Sequence, residues 1–276
     1  MKKKLAVLIT LSMAAALLAG AGFAQDAETY YNNGLEKAKK GLYNDAIADY
    51  NKAISINPRF DEAYNNRGVA YFMIGEKDKS MADYTKAIEI NPSFGKAFFN
   101  RGISYAVKKD WSTALNDYSR AIELNYDLRN SYNHRGIVKY RMRNYDGAES
   151  DFISSTKADA NYAKAYYNKG LSLFRLREFD KAVADFSTAL QKKASFAKAL
   201  SSRGAAYYAQ GDMAKAMDDF NAAITMNAKL AGAYYNRGLV HLKNGNRDGA
   251  ASDMKKAAEL DPALGESALK ALTGTK

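Results

Sequence analysis

The 276-residue sequence contains no cysteine, three prolines, two histidines and one tryptophan. Without cysteine, the chain can form no disulfide, no thiol nucleophile and no cysteine metal site. The two histidines, His134 and His241, leave little for metal binding or acid–base chemistry. No Gly-x4-Gly-Lys, Gly-x-Ser-x-Gly or His-x3-His motif occurs. We therefore expect a non-catalytic protein that needs no cofactor and no metal. Its 47% of apolar residues exclude a mainly disordered chain.

The N-terminal segment has the features of an export signal. Lys2, Lys3 and Lys4 precede a mostly apolar stretch from Leu5 to Leu18, and Gly22-Phe23-Ala24 resembles a cleavage site. We predict a signal peptide at residues 1–24 and a mature chain that begins at Gln25, in the periplasm or outside the cell, with no stable membrane insertion after cleavage. The alternative is an uncleaved anchor, because the charge-free residues 5–24 could just cross a bilayer.

A 34-residue period organises the rest of the chain. Glycine recurs at a constant step of 34 residues, within an Asn-Arg-Gly string in three repeats and a variant of it in four, at positions 34, 68, 102, 136, 170, 204 and 238. Such self-similarity predicts stacked structural repeats. We number each repeat from 1 to 34, which gives the ranges 27–60, 61–94, 95–128, 129–162, 163–196, 197–230 and 231–264.

Each repeat is predicted to form two helices. Position 4 is aromatic in six repeats, position 8 is glycine, position 20 is alanine or serine, and position 24 is aromatic or methionine. This spacing is helical on both sides of a break near position 15. The break carries Gly41, Gly75, Gly211 and Gly245, which suit a left-handed helix end. Polar residues at position 18, such as Asp78, are expected to cap or charge-stabilise the second helix. The glycine at position 8 indicates a close crossing of the two helices against position 20.

This pattern resembles the tetratricopeptide repeat (TPR) family in an exported bacterial member. The resemblance implies an all-α fold, a right-handed α-solenoid of seven helix-turn-helix repeats over residues 27–264, and a short C-terminal capping helix within 265–276. The fourth repeat departs most from the family pattern, because Glu149, Ser155 and Thr156 replace apolar or small residues.

Two columns of opposite charge run through the repeats. Position 7 is Arg or Lys in six repeats, and position 23 is Asp in all seven. Because buried charges must be paired, we predict structural ion pairs rather than a nucleic-acid surface. The first repeat has the acid but not the base, which favours pairing of each Arg with the Asp of the preceding repeat.

The resemblance also implies a concave face with a peptide-binding role. An asparagine ladder at position 6, interrupted by His134 and Ser202, could hold the backbone of an extended peptide, and aromatic residues at position 5 could receive apolar side chains or sugar rings. Basic residues at positions 2 and 13 would favour an acidic protein or peptide partner. The candidate binding residues are Asn32, Asn66, Asn100, His134, Asn168, Asn236, Tyr31, Phe99, Tyr167, Tyr235, Lys96, Lys164, Lys198, Arg141 and Arg175.

Alternatives remain for each of these sets: local hydrogen bonding for the asparagines, inter-repeat packing for the aromatics and solvated charge for the basic residues. The family's carboxylate clamp is absent, because it requires Asn at position 9, which is apolar in all seven repeats. The sequence therefore predicts a protein-interaction scaffold of the bacterial cell envelope. The alternative is a glycan-binding or assembly subunit of a polysaccharide or cell-wall system.

Overall fold

A computed structural model of the chain describes residues 26–273, which form two compact units that divide between Ser131 and Tyr132. The predicted all-α class is confirmed, because these residues contain fifteen α-helices and no strand. The predicted signal peptide and residues 274–276 lie outside the described residues. The helices are α1 (26–39), α2 (Tyr43–Ile56), α3 (Asp61–Met73), α4 (Lys77–Ile90), α5 (Gly95–Val107), α6 (Trp111–Glu123), α7 (Leu128–Arg141), α8 (Tyr145–Ala158), α9 (Ala163–Arg175), α10 (Phe179–Lys192), α11 (Ala197–Gln210), α12 (Met213–Met226), α13 (Ala231–Lys243), α14 (Arg247–Leu260) and α15 (Gly265–Thr273).

The turn between the two helices of each repeat is built in the same way seven times. Its residue at position 15 has a positive φ, as predicted for Gly41, Gly75, Gly211 and Gly245. The remaining three repeats adopt the same left-handed conformation without glycine, at Lys109, Arg143 and Arg177, with φ of 63°, 64° and 64°. The helical hairpin therefore imposes this backbone conformation even where the side chain disfavours it.

A close contact between the two helices explains the glycine at position 8. A Cβ atom on Gly170 would lie 2.7 Å from Phe186 Cε1, and one on Gly68 would lie 2.8 Å from Tyr84 Cε1 and 3.1 Å from the carbonyl oxygen of Ser80. The predicted close crossing is thus present, although the ring at position 24 is the nearest obstacle and the backbone at position 20 comes second. The rings at position 24 of the first six repeats are buried, as is Met254 at the same position of the seventh.

The helix caps lie two residues earlier than the sequence analysis expected. The second helix of each repeat begins at position 17, so the position-18 residues lie inside its first turn, where acids such as Asp78 and Asp180 favour the positive helix end. Side-chain caps come from position 16: Asp110, Asn144, Asp212 and Asn246 each accept a hydrogen bond from a backbone N–H three residues on. Of the two roles expected for position 18, the acids supply the charge stabilisation, whereas the side-chain caps come from position 16.

The charged columns form ion pairs, but within each repeat rather than between repeats. Five arginines each bind the Asp sixteen residues later in the chain: Arg67, Arg101, Arg135, Arg203 and Arg237. The Nε–Oδ2 distances are 2.7–2.9 Å, and the Nη2–Oδ1 distances are 2.7–2.8 Å. Lys169 lies 2.9 Å from Asp185 in the same way. The predicted pairing with the preceding repeat was therefore wrong. Positions 7 and 23 are equidistant from the turn at position 15, so the antiparallel hairpin places them opposite each other.

The preceding repeat is reached by the third guanidinium nitrogen. Nη1 donates to a polar side chain at position 25 of the repeat before, as in Arg67 to Asn51 Oδ1 at 2.6 Å and Arg203 to Ser187 Oγ at 3.0 Å. In the first repeat, where position 7 is Asn33, Lys37 at position 11 lies 2.6 Å from Asp49. A cation from a neighbouring helical turn thus replaces the missing arginine.

The C-terminal end continues the helical stack of the second unit. A 3₁₀ turn at Pro262–Leu264 leads into α15 (Gly265–Thr273), which packs on α14 and buries Ala268. Leu269 on the same helix is 62% exposed. Within residues 26–273, no helix combines the length and apolar character that a membrane crossing requires.

Candidate functional site

The first helices of repeats 4, 5 and 6 border a cavity of about 420 Å³ in the second unit. Helices α7, α9 and α11 contribute residues from positions 2, 5, 6, 9, 12 and 13, and α8 contributes one ring to the floor. The lining residues are Ile137, Tyr140, Arg141, Phe152, Tyr167, Asn168, Leu171, Arg175 and Lys198. The volume falls within the range of ligand sites, roughly 300–1,000 Å³.

The cavity combines an apolar floor with a cationic rim. Arg141, Arg175 and Lys198 are exposed, and no carboxylate within residues 26–273 forms an ion pair with any of them. Arg141 and Arg175 are the last residues of α7 and α9, where the negative end of each helix stabilises a cation. These three charges are therefore available to an anionic ligand.

Arg175 is oriented by a neighbouring repeat. Its Nε donates a hydrogen bond to the Tyr140 hydroxyl oxygen at 3.0 Å, and this bond raises the pKa of the guanidinium above its usual value. The two terminal nitrogens are left to bind other groups. A guanidinium in this state presents a planar fork that matches a carboxylate.

A second, smaller cavity of about 160 Å³ adjoins the first. It is bordered by Tyr140, Leu171 and Arg175, which also line the larger cavity, and by Phe174, Phe186, Ser202 and Ala205. Arg175 therefore borders both hollows.

The asparagines at position 6 connect neighbouring repeats. Asn66 Nδ2 donates to the Tyr31 hydroxyl at 2.8 Å, Asn100 Nδ2 to Asn65 Oδ1 at 2.9 Å, and Asn168 Nδ2 to Asn133 Oδ1 at 2.9 Å. Each bond joins position 6 to position 5 of the preceding repeat. One amide hydrogen of each of these side chains is thus used within the scaffold, which leaves the second hydrogen for a ligand.

The aromatic residues at position 5 pack between helices. Tyr31, Phe99 and Tyr167 contact the ring at position 24 of their own repeat, at centroid distances of 5.7–6.0 Å. Each also contacts a ring in the last three positions of its own repeat: Phe60 at 4.8 Å, Tyr126 at 5.7 Å and Phe196 at 4.8 Å. Burial raises the pKa of Tyr31 and Tyr167 above the usual tyrosine value. These contacts fit the packing alternative, and binding of rings or apolar groups at position 5 stays a prediction.

The remaining candidate residues lie apart from this cavity. Six of them belong to the first unit: Tyr31, Asn32, Asn66, Lys96, Phe99 and Asn100. In that unit the positive charge of Lys96 favours the ionised form of the Glu62 carboxyl. His134 and Lys164 lie on α7 and α9 without lining the cavity, and Tyr235 and Asn236 lie on α13. The structure thus brings together five of the candidates: Arg141, Tyr167, Asn168, Arg175 and Lys198.

Sequence reasoning missed the residues that form the floor. Ile137 and Leu171 occupy position 9 and Tyr140 occupies position 12, between the basic and polar positions that were singled out. The available signal was a large aromatic residue at position 12 in three successive repeats, Tyr140, Phe174 and Tyr208. Among residues 26–273, no three His, Asp or Glu side chains are grouped so that they could hold a metal ion.

Family models match most of the chain. A model described as TPR repeat matches residues 34–75, and models described as tetratricopeptide repeat match 61–94, 133–195, 167–231 and 231–264. The chain belongs to the tetratricopeptide repeat family. Repeats of this family are typically non-catalytic scaffolds that bind protein or peptide partners. No curated protein matches the sequence.

Solved structures share the fold. A tetratricopeptide repeat protein from Parabacteroides merdae is 21% identical, with a TM-score of 0.69 over 90% of this chain and 99% of that one. YrrB, described as a TPR protein with an unusual peptide-binding site, is 21% identical, with a TM-score of 0.59 over 71% of this chain and 97% of its own. PilW, described as a widely conserved type IV pilus biogenesis factor, is 17% identical, with a TM-score of 0.67 over 75% and 95%. At these identities the likeness is one of fold alone.

Proposed function

We propose that this protein is an exported, non-catalytic scaffold that binds an acidic peptide segment in the cavity bordered by α7, α9 and α11. The observation that carries the proposal is the arrangement of Arg141, Arg175 and Lys198 around an apolar floor. A carboxylate on the ligand would bind the cationic rim, and its apolar side chains would contact Ile137, Leu171 and Tyr140. YrrB, a TPR protein described as having an unusual peptide-binding site, supports the same class of ligand.

The electrostatics favour selection of an acidic segment over a neutral one. Exposed cations without carboxylate partners attract an anionic ligand and increase its association rate. Such attraction is screened by salt, with a Debye length of about 8 Å at physiological ionic strength. Binding is therefore expected to weaken as salt is added, whereas an apolar contact alone would not.

Peptide and glycan arrays test the ligand class. The purified chain is applied to both arrays and compared with the variant Arg141→Glu/Arg175→Glu. A matched control, Lys157→Glu/Lys255→Glu, changes the net charge equally at exposed positions of the second helices α8 and α14. We expect binding to acidic peptides that only the first variant loses. Binding to glycans alone, or equal loss in both variants, would contradict the proposal.

The cell-envelope location rests on the N-terminal sequence. The lysines, the apolar stretch and Gly22-Phe23-Ala24 support export. Cell fractionation followed by N-terminal sequencing tests it. We expect a chain that begins at Gln25 in the exported fraction; a chain that begins at Met1 in the cytoplasm would refute export, and a membrane-bound chain with its N-terminus intact would show the anchor.

A further inference from the structure

Arg175 forms part of the lining of both hollows described above. The larger hollow holds about 420 Å³ and the smaller about 160 Å³. They share Tyr140, Leu171 and Arg175, so a ligand that occupies both lies beside this guanidinium. Among residues 26–273, Arg175 is the one cation that borders both hollows.

The smaller hollow has the capacity for one apolar side chain. Leu171, Phe174, Phe186 and Ala205 border it, with Ser202 as a further polar contact. An apolar cavity of roughly 150 Å³ in another protein binds benzene, so a space of about 160 Å³ can receive a phenyl ring or a branched aliphatic group.

The orientation of Arg175 depends on Tyr140. The hydroxyl oxygen of Tyr140 accepts from Nε at 3.0 Å, and this bond fixes the plane of the guanidinium. The terminal nitrogens Nη1 and Nη2 then form a fork for two carboxylate oxygens. Tyr140 therefore acts as a positioning residue for Arg175, and its ring also lines both hollows.

From this arrangement we infer that the cavity selects a segment in which one carboxylate lies between two apolar side chains. Arg175 binds the carboxylate, the smaller hollow receives one apolar side chain, and the larger hollow receives the other beneath Arg141 and Lys198. In an extended segment, alternate side chains point to the same face, which gives an apolar residue at i, Asp or Glu at i+2 and an apolar residue at i+4. The inference rests on the proposed function and names the ligand class of that same site.

A peptide pair isolates the carboxylate. Fluorescence anisotropy measures binding of the purified chain to a library of apolar–x–Glu–x–apolar peptides and to the same library with Gln in place of Glu. Hydrogen bonds to a charged group justify an expected preference for Glu of about tenfold or more. The Arg175→Gln variant is expected to lose this preference while it still binds the Gln peptides.

Two further variants assign the roles. Arg175→Glu should reverse the preference toward peptides with Lys at i+2. Tyr140→Phe keeps the ring in both hollows and removes only the acceptor, so it should reduce the Glu preference about threefold to tenfold without weakening the binding of Gln peptides. Thermal unfolding by circular dichroism verifies that each variant is folded. Arg141→Gln is the comparison variant for Arg175→Gln. Because the Arg141 cation borders only the larger hollow, this variant should keep the preference for Glu over Gln at i+2.

The outcomes separate this inference from the proposed function. Equal binding of Glu and Gln peptides by the wild type would refute the selection rule but leave peptide binding intact. A Glu preference that survives in folded Arg175→Gln would refute the role of Arg175. Absence of binding to every peptide would refute the proposed function itself, and the inference with it.

Discussion

Arg101 and Asp117 bind each other across the helical hairpin of the third repeat, with Nε–Oδ2 at 2.9 Å and Nη2–Oδ1 at 2.8 Å. The Asp117 side chain is 5% exposed and that of Arg101 is 17% exposed. The hydrogen bond to Asp117 raises the pKa of Arg101 above its usual value, so the guanidinium remains charged. The same geometry occurs in five repeats in all. In each of these five, the ion pair joins the first helix to the second.

A double-mutant cycle tests this pairing. Arg101→Leu leaves Asp117 buried without its cation, which should reduce the free energy of unfolding by roughly 3 kcal/mol. The Arg101→Leu/Asp117→Leu pair should cost at least 1 kcal/mol less than the sum of the two single variants. Urea denaturation gives the values.

The control cycle uses Arg101 and Asp83. Because Asp83 pairs with Arg67, the Arg101→Leu and Asp83→Leu effects should add within about 0.5 kcal/mol. Strong coupling in this cycle and additivity in the first would restore the inter-repeat pairing that the sequence suggested.

The glycine at position 8 gives a second prediction. In Gly170→Ala the new Cβ would lie 2.7 Å from a carbon of the Phe186 ring. Overpacking of this kind costs about 1–3 kcal/mol, offset by about 1 kcal/mol of helix propensity, so a net loss of stability is expected. In Gly238→Ala the nearest atom is Met254 Cγ at 3.0 Å, and a flexible methionine can move aside.

Chemical denaturation of the two glycine variants should therefore give a clear destabilisation for Gly170→Ala and a change near zero or a gain for Gly238→Ala. The substitution Phe186→Met should recover part of the loss when it is added to Gly170→Ala. Equal effects of the two alanine substitutions would show that the ring at position 24 is not the obstacle.

The turn residues with positive φ give a third prediction. Arg177 has φ 64°, a conformation that costs an L-residue about 1–2 kcal/mol. Arg177→Gly should stabilise the chain by up to about 1 kcal/mol, because relief of this strain exceeds the entropy that glycine adds to the unfolded chain. Gly211→Ala is the converse control: no atom of the described residues lies within 4 Å of the new Cβ, so its cost would come from the backbone alone. Thermal melting of both variants measures the two effects, and a destabilised Arg177→Gly would contradict the interpretation.

Glu149 gives a prediction about pH. Burial, and then the like charge of Glu178, raise the pKa of the Glu149 carboxyl, while Lys169 and Lys181 act in the opposite direction and Asp185 adds to the rise. The folded chain therefore holds this proton more tightly than the unfolded chain does. The resulting stabilisation is complete below the ordinary Glu pKa of about 4.3 and is lost as the pH rises through the raised value.

Glu149→Gln should accordingly melt at a higher temperature than the wild type at pH 7, and this advantage should shrink as the pH falls toward about 4. Glu36 is the control of opposite sign, because its hydrogen bond to Lys39 at 2.6 Å lowers its pKa. Glu36→Gln should give no gain at pH 7. An advantage of Glu149→Gln that is the same at every pH would exclude the ionisation of this carboxyl as its cause.

Much of the fold could be predicted because its determinants are local and repeated. Three of these determinants can be read directly from the sequence: the step of 34 residues, the helical spacing on either side of position 15, and the glycines at the turns. The resemblance to tetratricopeptide repeats then implied the α-solenoid. The non-glycine turn residues Lys109, Arg143 and Arg177 were not foreseen, because the surrounding hairpin imposes their conformation.

The candidate site was harder to predict than the fold. The basic residues Arg141, Arg175 and Lys198 were identified by repeat position, yet nothing in that pattern showed which repeats would combine them with an apolar floor. The Asn100–Asn65 hydrogen bond and the packing of Tyr167 on Phe196 were equally hidden. The first contact joins neighbouring repeats and the second joins the two ends of one repeat. Both join residues about 30 positions or more apart, so they depend on tertiary packing rather than on local sequence.

The sequence by itself determined the repeat, the helix pairs and the residues of the two charged columns. Only the tertiary structure decided which acid each arginine binds and which side chains share a cavity. The physical reason is that periodicity gives the position of a residue within its repeat but not the repeat to which its partner belongs. It indicates that Arg101 pairs with an Asp at position 23 but does not distinguish Asp83 from Asp117. That choice follows from the geometry of an antiparallel hairpin, in which residues at equal distances from the turn lie face to face.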